Sequence, residues 1–416
     1  MSETEYNGSD ESAVIEASFP VSDNILDDFT VQEITLVESL LTPGIQTAIK
    51  CHSYRHVMPN KNLDEFKNLT ANIKIKRPIL KAYKFNEDSL EVNPRIYRLA
   101  DRKMINTNNE EFVLYGCDDS LLNNARSLVS QNWNATSPSE VVRQVLSSCA
   151  KVTNMDIESS TPSRDYIAEN IHPYDVVKQQ AEVALANGND PSFLHYMTYE
   201  NGGTHHFKSL ASLSQATPIV ELTHTETAGA KSEKNGIYGG YRNPRLIMTY
   251  SFPCDFDLLS DLLNGIDTDG RDLTSMVLTN PFLGQFSLSG VQTIGCGLGQ
   301  GIFKLGQTNF NSADQQDASN SAIEQYLLKR QARMNLLEPD KVALRLTVPW
   351  NPVYHAGKVI RVNLYNKNDK NLNKAPIQLY GAGDYLISSM VHTVKRGGFS
   401  TTTMDCVSTT VGKGIV

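Results

Sequence analysis

The chain has 416 residues, 40% hydrophobic and 20% charged; this composition is globular and excludes a disordered or collagen-like chain, and the length exceeds the ~250–300 residues of one core. Residues 1–28 hold eight acidic side chains (Glu3, Glu5, Asp10, Glu11, Glu16, Asp23, Asp27, Asp28) and no Lys or Arg, which accounts for the whole formal charge of −8. With those eight set aside, the 46 acidic residues fall to 38, equal to the 38 basic ones, so the body is neutral and has no basic footprint for stable nucleic-acid binding.

By composition the acidic leader reads as a solvated, flexible tail. Val14, Ile15, Phe19 and the Ile25–Leu26 pair keep open the alternative that it folds onto a neighbour. From Val31 to about Tyr115 the pattern is strand after strand: Gln46–Ser53, Ala71–Lys76, Arg95–Leu99 and Glu111–Gly116, with polar turns between. Short β-rich runs so punctuated point to a barrel or a sandwich.

Ser137-Pro138-Ser139-Glu140 predicts a helix start, with a hydroxyl at N-cap, proline at the first helical position and a capping-box Glu. Val141, Val142, Val145, Leu146 and Cys149 share one face of that helix. A second helix is expected from His172-Pro173-Tyr174-Asp175, with Val176, Val177, Ala181, Ala184 and Leu185 inward and Asn187-Gly188 at its end. It leads into a hairpin: strand Phe193–Tyr199, turn Asn201-Gly202-Gly203, and returning strand His205–Lys208. Ser209–Leu213 begins a further short helix, and strands are expected at Ile219–His224 and Arg245–Ser251.

Residues 283–320 turn to Gly, Ser, Gln and Asn and read as an irregular connection; Ser321–Leu337 then predicts a third helix. In the last block Val342, Leu344, Leu346 and Val348 alternate strictly, and Lys358–Tyr365, Gly383–Val394 and Phe399–Thr409 supply three more strands. Four strands suffice for a small barrel if the sheet closes or another chain completes it.

Signals for chemistry are weak. Cys51, Cys117, Cys149, Cys254, Cys296 and Cys406 form no CxxC pair and read as free thiols of a reducing compartment. No apolar run approaches ~20 residues, so neither a membrane span nor a signal segment is expected. On a strand His205 and His206 face opposite sides, though His195 could pair with one of them across the hairpin; ordinary polar contacts are the stronger reading, since zinc sites normally need three or four ligands. Asp267-Thr268-Asp269-Gly270-Arg271-Asp272 has Arg where a calcium loop needs an oxygen ligand, and reads as a turn. The glycine run 295–301 and Val411-Gly412-Lys413-Gly414 fit no phosphate-binding motif. No GxSxG occurs; a pair of glycosidase carboxylates needs no local motif and stays open.

The order of these pieces resembles the baseplate hub family of contractile-tailed bacteriophages. Three stretches carry the resemblance. They are Ser137-Pro138-Ser139-Glu140-Val141-Val142; His172-Pro173-Tyr174-Asp175 through Phe193–Tyr199 and Asn201-Gly202-Gly203 to Phe207-Lys208-Ser209-Leu210; and Ala356-Gly357-Lys358-Val359-Ile360 with Gly383-Asp384-Tyr385-Leu386-Ile387, His392 and Thr401-Thr402-Thr403-Met404. Residues 225–320 match no part of the pattern. The resemblance implies an α+β, mainly β fold with two tube-type β-barrel domains and an α/β insertion between them. Residues 1–28 would be a flexible or partner-bound leader and 29–120 the first barrel. Residues 121–320 would be the insertion, and 321–416 a helix plus the second barrel.

It further implies a non-catalytic homotrimer whose ring joins a hexameric tail tube to a trimeric central spike and lets DNA pass. Its partners would be further copies of itself, the spike and tube proteins, and as further candidates the tape-measure and baseplate wedge proteins. No cofactor, metal, membrane or stable nucleic-acid contact is implied, and the place is the virion tail baseplate after assembly in the host cytoplasm. Unpaired sheet edges suit pairing between subunits, and a neutral lumen would not hold DNA. The candidate interface or lumen positions are Val342, Leu344, Leu346, Val348, Thr401, Thr403 and Asp405. A spike-base protein of a related contractile injection or secretion machine is the alternative, followed by a tail-associated wall hydrolase. A glycan- or receptor-binding module comes last, because only Trp133 and Trp350 are available as tryptophan platforms.

Overall fold

The computed structural model describes residues 13–19, 29–53, 69–106, 109–187, 190–224, 244–253, 287–288, 291–292, 330, 334, 337, 342–364 and 381–407. The first region supplies β1 (Val14–Ser18), β2 (Phe29–Ser39), β3 (Gln46–Ser53), β4 (Asn72–Lys76), β5 (Ser89–Val92), β6 (Arg95–Met104) and β7 (Glu110–Cys117). An insertion follows with α1 (Asp119–Arg126), β8 (Val129–Thr136), α2 (Pro138–Ser148), β9 (Met155–Ile157), β10 (Arg164–Ile171), α3 (Pro173–Val183), β11 (Phe193–Thr198), β12 (Thr204–Ser209) and α4 (Leu210–Ser214). After it come β13 (Glu221–His224), β14 (Thr249–Ser251), the two-residue strands β15 (Ser287–Leu288) and β16 (Val291–Gln292), β17 (Leu344–Pro349), β18 (Val359–Leu364), β19 (Gly383–Lys395) and β20 (Thr401–Val407).

The first and last β regions share one ten-stranded sheet, ordered β14-β17-β20-β19-β2-β3-β7-β6, with β18 on β19 and β13 on β18. The join is β19. Its first residues, Gly383–Leu386, pair with β18, while Ser389–Lys395 pair with Glu33–Ser39 of β2. Between these halves the ladder to β20 slips at Ile387/Ser389; an extra residue bends a strand and sharpens its twist, which lets one strand serve two neighbours. The chain is thus mainly β with several antiparallel sheets, and among the described strands the hydrogen-bonded path runs open from β14 to β6.

Val342, Leu344, Leu346 and Val348, expected at an interface or lumen, are 0–2% exposed, and the last three pack with Ile360, Tyr385 and Met404 in this chain's own core. The alternation was read correctly but its apolar side faces inward, as the period of two demands when one face is already covered. A second core lies under the first region around Ile34, Leu36, Ile49 and Leu114, and reaches Trp350 and Val394 of the last. The insertion has its own core, in which α2 and α3 pack against β8 and the stacked Phe193 and Phe207 rings, 4.8 Å apart.

Three expectations change. Residues 13–19 of the acidic leader are packed, not solvated: β1 pairs antiparallel with β4, Ala13 and Phe19 are buried, and Lys76 holds both Glu16 oxygens at 2.7 Å. At α2 the proline start is present but no capping box closes. The Ser137 side chain makes no cap bond, the Ser139 N–H donates to Ser160 Oγ at 2.8 Å, and Glu140 accepts from Gln144 at 3.0 Å. The Glu140 N–H that the box would have served donates instead to the Ser137 carbonyl at 3.1 Å, and a tertiary partner, Ser160, takes the N–H before it. Helix α3 stops at Val183, before Asn187, because Leu185 exchanges two backbone bonds with Thr161, at 2.8 and 3.0 Å. The helix expected over 321–337 and the polar stretch 283–320 lie outside the described residues, apart from 330, 334, 337 and the β15–β16 pair.

Leu346→Ala is expected to lower the unfolding free energy by about 2–5 kcal/mol in urea denaturation, without changing the mass of the particle in solution. An unchanged stability would contradict its place in the core.

Candidate functional site

The outward face of the ten-stranded sheet gathers residues from both ends of the chain. On β20, Thr402, Met404 and Cys406 are buried, while Thr401, Thr403 and Asp405 alternate to the other side and stay partly exposed. Register carries that face across the seam: Thr347 lies opposite Thr403, Thr403 opposite Val391, Val391 opposite Val37, and Val37 opposite Gln46. One row along, Thr401, Thr393, Thr35 and Ala48 are aligned in the same way. Threonine and valine suit this surface because β-branched side chains pack on a pleat.

The charges on this face are matched. Arg345 grips Asp405 through two bonds of 2.6 and 3.0 Å, Lys395 lies 3.9 Å from Glu33, and Lys50 lies 3.3 Å from Glu111. Such exposed pairs add little stability, but each sets a cation against a carboxylate. Thr401, Thr403 and Asp405, candidate interface or lumen positions by sequence, lie on this face; their β2 and β3 neighbours were not among the candidates, because a register between strands some 350 residues apart leaves no local signal.

Directly beneath the wall lies a buried carboxylate. Glu38, on the inward side of β2, is 1% exposed. Its Oε1 accepts from the Tyr199 N–H at 2.7 Å and lies 3.1 Å from His355 Nδ1, while Oε2 accepts from the Ala356 N–H at 2.9 Å. The Tyr199 hydroxyl is hydrogen-bonded to Thr47 of β3. Lys358 reaches Glu200 at 2.9 Å. The first region, the insertion hairpin and the last region meet here. Gly357 completes the fit at φ +84°, where a Cβ would stand 2.5 Å from the Tyr196 hydroxyl.

Burial pushes the Glu38 carboxyl up, but the charge and hydrogen bond of His355, the Tyr199 N–H and nearby His392 outweigh it and hold the group below its ordinary value. Burial likewise pushes His355 down, and Glu38 and Glu200 more than reverse this. Both directions favour the ionised form of the pair, carboxylate against imidazolium. His392, fully buried with Nδ1 2.8 Å from Thr402 Oγ1, is pushed down to about 4 by burial.

The histidine pairing left open by the sequence is made: His195 Nε2 and His205 Nδ1 are 3.2 Å apart. Among the described residues no group of three or more metal-ligating side chains occurs, and no helix is long and apolar enough to cross a membrane. The Asp267–Asp272 turn, the 295–301 glycine run and residues 411–414 lie outside the described residues.

No family model and no curated protein matches the sequence. Solved structures do. The tail protein from Neisseria meningitidis MC58 matches with a TM-score of 0.51 at 10% identity, over 96% of this chain and 98% of that one. The 43 kDa tail protein of prophage MuSo2 from Shewanella oneidensis gives 0.48 at 8% identity, over 95% and 98%. A type VI secretion component of E. coli gives 0.47 at 10% identity, over 94% and 76%. The first of these shows that the chain has a tail-protein fold along almost its whole length. That likeness in fold agrees with the resemblance carried by the three sequence stretches.

Glu38→Ala strips His355 of its main counter-charge and leaves the Tyr199 and Ala356 N–H groups unpaired in the interior, and is expected to cost about 3–5 kcal/mol in denaturant unfolding. The His355 contribution has a sign. Its folded value is raised, so its stabilisation is complete below about pH 6.5 and fades as pH rises through the folded value. The stability gap between wild type and His355→Gln should therefore be widest in mild acid and narrow toward alkaline pH. A gap that widens with rising pH would contradict the ion pair.

Proposed function

We propose that this chain is a structural subunit of a contractile phage tail baseplate, acting mechanically and without catalysis. Three copies close a ring that joins the tail tube to the central spike and leaves a channel for DNA. Each copy gives the ring two tube-type barrel units, one built on β2, β3, β6 and β7 and one on β17–β20. Neighbouring copies complete the sheet at its open ends, β6 and β14. The neutral threonine and valine face lines the channel, and the insertion lies to its outside.

The carrying observation is the likeness in fold to a tail protein across 96% of this chain. The charge-matched wall agrees with it. A polyanion passes a surface whose cations are already paired without releasing counterions, and so without being held. The spike and tube proteins are the direct partners, with tape-measure and wedge proteins as further ones, and the place of action is the virion tail.

Light scattering over a concentration series, alone and with the candidate spike protein, tests the assembly. A trimer, or a monomer that becomes a trimer on adding the spike, is expected; a monomer at every concentration that ignores the spike overturns it. The channel reading predicts in addition that duplex DNA binds the assembled wild type immeasurably weakly at physiological salt. A Thr35→Lys, Thr393→Lys, Thr403→Lys triple variant should bind it in a salt-dependent way, and equal binding by both proteins would count against the lumen face.

A further inference from the structure

The β11–β12 hairpin concentrates histidines in a way that the hub role does not use. His195 and His205 lie on one face with ring centroids 5.4 Å apart and nitrogens 3.2 Å apart. Tyr174 of α3 stands edge-on to His195 at 5.1 Å, and Ser120, at the start of α1, bonds both the Tyr174 hydroxyl (2.6 Å) and His205 Nε2 (2.8 Å). Asp118 bonds Ser120 and lies 3.8 Å from His205. On the other face, His206 stacks on Tyr196 at 4.7 Å, bonds Thr198 Oγ1 at 3.0 Å and lies 3.4 Å from Asp156 of β9. Lys208 takes the same Asp156 at 2.6 Å, and Glu200 and Lys358 are the remaining charges toward His206.

Two imidazoles with nitrogens 3.2 Å apart can share one proton but cannot both be charged without parting. His206 has a carboxylate in reach, yet Lys208 already occupies it. Phe193 and Phe207 belong to the insertion's own apolar core, whereas Leu194, Tyr196, Met197 and Tyr199 pack with residues of the sheet, so the insertion side can open locally while the sheet side holds. We propose that the hairpin is a proton-operated latch: protonation of His195 and His206 frees its α3, β9 and β7–α1 side and loosens the insertion, while the Tyr199 end stays tied to Glu38 and the ten-stranded sheet stays closed.

The direction follows from the surroundings. Burial, then the neighbouring histidines, hold His195 well below its ordinary value. Burial brings His206 down to about 4 against the pull of Asp156 and Glu200. Both groups take protons more readily when the hairpin is open. The closed state is therefore at full strength above about pH 6.5 and loses strength as pH falls, until His206 levels off near about 4. At the seam His392 responds in the same sense, but His355 responds in the opposite one and offsets it. The hairpin has no such counterweight among its shifted histidines.

Amide hydrogen exchange on the full chain, corrected for intrinsic rates and taken from about pH 7 to about pH 5, tests the latch. The opening equilibrium of 193–209 should rise by up to about tenfold per pH unit for each histidine, while β2 and β19 keep their protection. His206→Gln, which keeps a polar group against Thr198 but cannot titrate, should flatten the pH dependence. Hairpin protection that ignores pH, or that is lost together with β2 and β19, would overturn the proposal. Should that variant fail to fold, histidine titration by NMR on the wild type decides: a His206 ring titrating at its ordinary value near about 6.5 overturns the latch equally.

Discussion

Glu38 accepts hydrogen bonds from residues 161 and 317 positions away in the chain, and both of its oxygens are used. A carboxylate in that position cannot be left partly satisfied, because an unpaired buried charge costs several kcal/mol, ~3–5 for the loss of one partner. The requirement therefore acts on geometry: β2, the end of β11 and the segment before β18 must all arrive for any of them to be stable there. Apolar packing alone would tolerate a shift of the insertion over the sheet. A three-partner carboxylate does not.

That constraint explains how one sheet can be assembled from opposite ends of the chain. β19 bends at its bulge to pair with β18 and then β2, and the inward residues beside the seam enter two cores, Ile34, Leu36 and Val394 one and Met390 the other. Once the inward side is fixed by Glu38, the outward side is fixed as well, since residues alternate with a period of two. The neutral Thr/Val wall is thus the obligatory reverse of the polar knot beneath it. The charge pairs at its margins set cations and carboxylates side by side.

Much of this was legible in the sequence. Gln46–Ser53, Phe193–Tyr199 and the alternation at 342–348 gave strands close to those observed, and the prolines at 138 and 173 marked both helix starts. Local signals failed where a distant group took over, as Ser160 did at the α2 N-terminus and Thr161 at the α3 C-terminus. The direction of the 342–348 face could not be read either, because alternation gives two faces and only the neighbours say which is inside. Glu38 and His355 carry no motif at all; one acidic residue in a strand looks solvent-facing until the residues that neutralise it are placed. The His195–His205 pair was visible only because its hairpin is short enough for cross-strand geometry to be inferred.

Electron cryomicroscopy of the assembled tail with this chain labelled puts the account to its most direct test. Three copies in a ring between tube and spike, with Thr35, Thr393 and Thr403 facing the channel, is the predicted result. A copy number that is not a multiple of three, or a ring whose threonine face points away from the channel, would contradict it.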